Sequence, residues 1–205
     1  MRILITAGPT REHLDDVRFI SNASSGRMGF ALAEAARAAG HAPTLILGPV
    51  DLPPPHGVPV TRVTSAQDMH DAVLAALPQH DALVMAAAVA DFRPAERLRG
   101  KPRRRAGPPR IELVPTPDIL AAARAAARPG FVIVGFALEA GDLGEGARRK
   151  LAEKGVDLIV ADSPSAIGAE ATTAEIHGPR GLVARLERKS KADIALAIIR
   201  ALEAR

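Results

Sequence analysis

The feature that most constrains this chain is an alternation. Short runs rich in Ile, Leu and Val recur along its whole length, separated by longer stretches with apolar residues at helical spacing. Residues 2–6, 44–47, 60–63, 81–87, 111–114, 131–136 and 156–161 read as strands. Residues 27–40 read as a helix stopped by Gly40. Ser65 with Asp68 forms a capping box for a helix to about Leu77. Thr116, Pro117 and Asp118 read as N-cap, first-turn proline and dipole-matched acid of a helix to about Ala127. Residues 144–155 and a segment from Ser190 to about Leu202 supply two more helices. Ser163-Pro164 reads as a short helical turn, and residues 174–177 with 182–185 as a small late hairpin. Strand alternating with helix over 205 residues predicts one α/β domain: a Rossmann-like, mostly parallel sheet flanked by helices. Ligands of such sheets lie beyond the carboxyl ends of strands, at a switch in strand order. The segments after Thr6, Ala87 and Phe136 are therefore the places to look.

Composition narrows the chemistry. The chain has no cysteine, which excludes disulfides, thiol catalysis and cysteine-bound zinc. It has no Tyr, no Trp and five Phe, so it lacks both a tyrosine-dependent dehydrogenase site and the aromatic faces of a single-strand nucleic-acid platform. It opens as a strand, not as a leader peptide, and no apolar run approaches the ~20 residues needed to span a bilayer. A cytoplasmic protein with no membrane partner is expected. The net charge of +4 is unevenly spread. Between residues 93 and 110, Arg93, Arg97, Arg99, Lys101, Arg103, Arg104, Arg105 and Arg110 face only Glu96, so this loop carries +7 and the remainder −3. Such a loop suits polyphosphate or nucleic acid, and a merely solvated segment has the same composition.

The segment after the first strand contains neither G-x-G-x-x-G nor a Walker A lysine, so neither nucleotide fingerprint applies. Ser24, Ser25 and Gly26 open a helix, whose free N–H groups suit an anion. Arg18 and Asn22, the only Asn in the chain, lie four apart in the loop leading to it.

Residues 6–11 (TAGPTR) and 17–29 (VRFISNASSGRMG) resemble the opening of the phosphopantothenate–cysteine ligase family of coenzyme A biosynthesis. Residues 86–94 (AAAVADFRP), 115–120 (PTPDIL), 134–139 (VGFALE), 149–160 (RKLAEKGVDLIV) and the terminal Lys189-Ser-Lys191 with its helix match in the same order. The resemblance covers essentially the whole chain. It implies a two-step ligation. The carboxylate of 4′-phosphopantothenate attacks the α-phosphate of CTP and expels pyrophosphate; the amine of cysteine then attacks the acyl-cytidylate and releases CMP. Cations and Mg²⁺ must neutralise the charge on the phosphates.

Residue by residue, the resemblance assigns Arg18, Asn22 and Ala88 to the second half-reaction, with Asn22 hydrogen-bonding the acyl-phosphate region. Lys101 falls in a mobile flap over the triphosphate, at about residues 93–110. Asp91 is expected to hold nucleotide or metal, although a turn carboxylate has the same appearance. Ala86 and Ala87, with Ala88, are small enough for close backbone approach to a base or phosphate, and also small enough to be plain core. Phe136 flanks the cytosine or belongs to the core. Lys150 and Lys154, at i and i+4, suit phosphate or ribose on one helix face, or simple solvation. Pro115, Thr116, Pro117 and Asp118 are counted with the nucleotide-binding residues, as are Ser24, Ser25 and Gly26. The chain departs from the family pattern at Arg103 and Arg104 in the flap, at Asp162 and Thr172-Thr173 where Asn is frequent, and at Arg27. The resemblance also implies a homodimer, and association with or excision from a flavin-dependent decarboxylase, with no flavin expected on this chain. Two readings compete: a nucleotide-binding regulatory or scaffold module without turnover, and a basic-loop nucleic-acid binder, which nothing here equips with base readers.

Overall fold

The computed structural model describes residues 1–100, 110–139, 141–163 and 171–205. In chain order the strands and helices are β1 (Arg2–Ala7), β2 (Arg11–His13), β3 (Phe19–Ser21), α1 (Arg27–Ala38), β4 (Ala42–Leu47), β5 (Val60–Arg62), α2 (Ala66–Ala76), β6 (Ala82–Met85), β7 (Phe92–Pro94), β8 (Leu113–Pro115), α3 (Ile119–Ala126), β9 (Val132–Leu138), α4 (Leu143–Lys154), β10 (Leu158–Asp162), β11 (Ala171–Gly178), β12 (Gly181–Ser190) and α5 (Lys191–Glu203). One eight-stranded sheet runs β12-β11-β10-β9-β6-β1-β4-β5. Its strands from β10 to β5 are parallel; β11 and β12 add an antiparallel edge.

The central strands are apolar because both faces are covered. Ile3, Ile5 and Ala7 of β1 face one core with Leu32 and Ala33 of α1 and Ile194 and Ile198 of α5. Leu4, between them, faces the other with Met69 and Val73 of α2, Leu120 of α3 and Ala147 of α4. The two-residue period of the strand thus sorts one short run between two helical layers. The first crossover leaves β1 through α1 to β4 on one side. The second returns through α2 to β6 on the other, so the strand order reverses between β1 and β6. That reversal opens a crevice at their carboxyl ends. Gly29 lets α1 start close to the sheet: a Cβ there would lie 2.3 Å from that of Ala7.

The structure corrects several expected boundaries. The capping box of Ser65 and Asp68 forms. At α3, however, the N-cap is Asp118, which accepts from Ala121 N at 3.0 Å, and not Thr116, whose hydroxyl donates to Ala90 O at 2.6 Å. The first turn takes the carboxylate because Thr116 is already bound elsewhere. The late hairpin is no small appendage: β11 and β12 are longer than expected, and β11 pairs with β10, which makes both part of the main sheet. Leu113–Pro115 pairs with Phe92–Pro94 in a separate ribbon and not with the main sheet. A second short ribbon, β2–β3, was also unexpected. The basic loop therefore begins after β7 and not at Arg93. The helical turn expected at Ser163-Pro164 runs into residues outside those described. Among the described residues no helix is long and apolar enough to cross a membrane.

Candidate active site

The crevice is held open by hydrogen bonds between the segments that leave β1 and β6. Ala88 N donates to Gly8 O at 2.9 Å, and Thr10 N returns a bond to Ala88 O at 3.3 Å. Two threonines pin the same loop by side chain. Thr6 Oγ1 accepts from Ala87 N at 3.2 Å, and the fully buried Thr10 accepts from Ala90 N at 3.0 Å. Asn22 closes the arrangement: its Nδ2 donates to Ala88 O and to Val89 O, both at 3.1 Å. Two carbonyls as neighbours fix which end of the amide faces them, and leave Oδ1, an acceptor, turned away.

At the adjoining end, α1 begins at Gly26 in a left-handed conformation, without a side-chain cap and without an acid in its first turn. Its free N–H groups and helix dipole therefore favour a negative ligand. The cleft between these segments has a volume of about 620 Å³. Asn22, Ser24, Ser25, Gly26, Ala86, Ala87, Ala88, Asp91, Thr116, Pro117, Asp118, Phe136, Lys150 and Lys154 line it together.

Only some of its charges are paired. Lys150 lies on α4 and donates from Nζ to Phe136 O at 2.6 Å. Burial, with Lys154 beside it, lowers its ammonium pKa, against the pull of Glu139, Asp91 and Asp118. Lys154 Nζ meets Asp118 Oδ2 at 2.5 Å. Burial of Asp118 is outweighed by that contact and by Ala121 N–H, so its carboxyl lies below the ordinary range. Asp91 has no side-chain hydrogen bond or ion pair among the described residues. A hard divalent cation such as Mg²⁺ keeps most of its waters and is commonly held by one carboxylate plus substrate phosphates, so this single group fits one. Among the described residues no cluster of three or more ligating side chains exists that could hold a metal without substrate.

Three expected residues stand apart. Arg18 does not line the cleft. Its Nε and Nη2 lie 2.7 and 2.6 Å from Asp15 Oδ2. Asp15, enclosed in the fold, also accepts from the N–H groups of Arg18 and Val17, and these two backbone bonds lead the fall of its pKa to about 2. Pro115 is spent in the ribbon, opposite Phe92. Lys101 lies outside the described residues, as do Arg103 and Arg104. The described start of the basic loop runs back over the turn at residues 14–16: Leu98 N donates to Leu14 O, and Arg97 pairs with Asp16 at 3.0 Å.

Among the lining residues that were not expected at the site, Asp162 and Lys191 bring charge to its far end. Asp162, at the end of β10, is buried, and burial raises its pKa against the opposing Thr172 hydroxyl, Ser163 N–H and Lys191. Lys191 opens α5 at the same end of the cleft. Asp162 had signalled itself only as a departure from the family pattern, and Lys191 only as part of a terminal match.

The sequence profile of the DNA/pantothenate metabolism flavoprotein C-terminal domain family matches residues 1–205. The coenzyme A biosynthesis bifunctional protein CoaBC of Vibrio vulnificus strain YJ016 is 42% identical over 207 residues, covering 98% of this chain and 51% of that protein. This chain thus spans about half the length of the curated relatives it matches. Among solved structures, the C-terminal domain of a coenzyme A biosynthesis bifunctional protein CoaBC superposes with a TM-score of 0.85 at 37% identity, covering 99% of this chain and 94% of that one. A Cab2 H337A variant in complex with phosphopantothenate-cysteine gives a TM-score of 0.82 at 18% identity, over 99% of this chain and 86% of that one, and shows a shared fold.

Proposed function

Because the chain belongs to the DNA/pantothenate metabolism flavoprotein C-terminal domain family, we propose that it is a ligase of coenzyme A biosynthesis, joining 4′-phosphopantothenate to L-cysteine through an acyl-cytidylate made from CTP. The observation that carries this reading is one cleft at the β1/β6 switch point lined by an uncapped helix start, the Asn22-pinned alanine loop and the Asp91, Lys150 and Lys154 side chains.

The reaction sets two demands. In the first step a carboxylate oxygen attacks the α-phosphorus of CTP, and the bond to the β-phosphate oxygen breaks. The N–H groups at the start of α1 offset the charge of the phosphates, while Lys150 and Lys154 meet phosphate or ribose oxygens. Bound Mg²⁺, held by Asp91 and the phosphates, would supply Lewis-acid neutralisation of the pyrophosphate leaving group. In the second step the cysteine amine attacks the acyl carbon and CMP leaves. Asn22 has both amide hydrogens committed to Ala88 O and Val89 O. Its role is therefore to hold that loop against the acyl group and to offer Oδ1 to a donor such as the attacking amine. A hydrogen bond from its Nδ2 to the acyl-phosphate would need one of those bonds to break.

The two ribbons support a homodimer. Val17, Phe19, Phe92, Ile111 and Leu113 are large apolar side chains left exposed on and beside them, and β2 packs against β7. Such clustering marks a surface that another chain covers. The bifunctional relatives support association with, or excision from, a flavin-dependent decarboxylase, and a cytoplasmic setting fits that chemistry.

Pyrophosphate release from CTP, with phosphopantothenate present and cysteine added or omitted, tests the reading. Release in both cases, with the amide product only when cysteine is present, is expected. No release in either case would favour the nucleotide-binding scaffold.

A further inference from the structure

A second recess of about 400 Å³ shares no lining residue with the cleft. It lies between the start of α2, ribbon β2–β3 and ribbon β7–β8, and its walls carry Arg11, His13, Arg93 and Arg97. Arg97 is paired with Asp16. Arg11 and Arg93 have no carboxylate partner among the described residues. Arg11 stacks its guanidinium 4.6 Å from the centroid of Phe19, and Arg93 donates only to the carbonyl of the next residue, Pro94.

Two acids also line the recess, but both face the start of α2. Glu12 Oε1 accepts from Ala66 N at 2.8 Å, and Asp68 Oδ2 accepts from Thr64 N and Ser65 N at 3.2 and 2.9 Å. Their charge is offset by that helix end, so the two arginines are not neutralised from within the recess. The same wall holds His13, whose Nδ1 is the one buried side-chain polar atom without a partner among the described residues. An atom in that state is costly unless something meets it.

We propose that this recess binds a phosphate-bearing anion as an effector site. Planar guanidinium forks match tetrahedral phosphate oxygens with paired hydrogen bonds, and the volume admits a phosphomonoester with a short organic tail. The location gives binding a consequence. β2 follows Thr10, which holds Ala90, and β7 follows Asp91. An anion bridging Arg11 and Arg93 ties together the two segments that frame the cleft.

The test is isothermal titration of the full chain with inorganic phosphate, pyrophosphate and glycerol 3-phosphate, performed in a Lys154→Gln background that weakens phosphate binding in the cleft. The Arg93 side chain makes no bond across the chain among the described residues, so Arg93→Gln removes charge without unpinning the fold; retained cooperative melting checks this. Binding that survives in Lys154→Gln is expected to weaken about tenfold in Lys154→Gln/Arg93→Gln and to vanish when Arg11→Gln is added. The three anions separate a bare inorganic effector from an organic phosphomonoester by which binds tightest. Absence of any surviving binding in Lys154→Gln overturns the proposal. So does an affinity that Arg93→Gln changes by less than about twofold.

Discussion

The side chain of Thr10 offers the sharpest test of how the cleft is held. It is fully buried, and its hydroxyl accepts from Ala90 N at 3.0 Å in a buried setting. Thr10→Val keeps the shape and replaces the oxygen with a methyl. Ala90 N–H is then left facing hydrocarbon, with water shut out. Leaving a buried donor unpaired costs about 1–3 kcal/mol, more than the net worth of an ordinary hydrogen bond. Thr6→Val removes a similar bond, at 3.2 Å to Ala87 N; Thr6 is as buried as Thr10, but Ala87 is only half-buried and lines the cleft, so water can approach the freed N–H. Its cost is expected below about 1 kcal/mol. The ranking is the substance of the prediction, because both substitutions make the same change in side-chain chemistry. Urea unfolding of the two variants, with unchanged dependence on denaturant, measures it. Under the ligase reading Thr10→Val also raises the KM for CTP, by about tenfold, because Asp91 follows the freed residue. A Thr10→Val cost under about 0.5 kcal/mol, or a larger cost for Thr6→Val, would refute the claim that these bonds set the loop.

Other expectations follow from single contacts. Asn22→Asp sets a carboxylate against two carbonyls; pyrophosphate release should persist while the acyl-cytidylate accumulates, seen by chromatography of quenched reactions, and product formed at the parental rate would count against it. Asp15 titrates at about 2, below its ordinary value of 3.8. Its contribution is thus present above pH 3.8 and is lost as the pH falls through about 2. Acid unfolding of Asp15→Asn should lack that part of the pH dependence, while its stability at pH 7 is lower than that of the parent. Replacing the exposed apolar residues in Phe19→Glu/Phe92→Glu should turn a dimer into a monomer in sedimentation velocity without loss of helical circular dichroism.

Much of the fold was legible because central strands buried on both faces leave long apolar runs, and helices over them leave a 3.6-residue period. The ribbons were not legible, because three-residue strands such as Arg11–His13 and Phe92–Pro94 are too short to display any period. The start of α3 was misjudged for a local reason. Thr116 and Asp118 are both good caps, and only the distant Ala90 carbonyl decides which is free to act. Most of the cleft was legible through the motif blocks, several of which follow β1, β6 and β9 at the carboxyl ends of the main sheet's strands. Asp162 and Lys191 join it only because β10 lies next to β9 and α5 starts beside it, which no local pattern encodes. Arg18 shows the converse. Its spacing from Asn22 suggested a shared site, but the nearer Asp15 takes its guanidinium.

The central claim is that this one cleft activates a carboxylate as its mixed anhydride with a nucleotide. Exchange of labelled pyrophosphate into CTP, with cysteine omitted, reads that step alone. The account predicts exchange that requires phosphopantothenate and that Asn22→Asp retains. A chain that folds and binds CTP yet gives no phosphopantothenate-dependent exchange would contradict it.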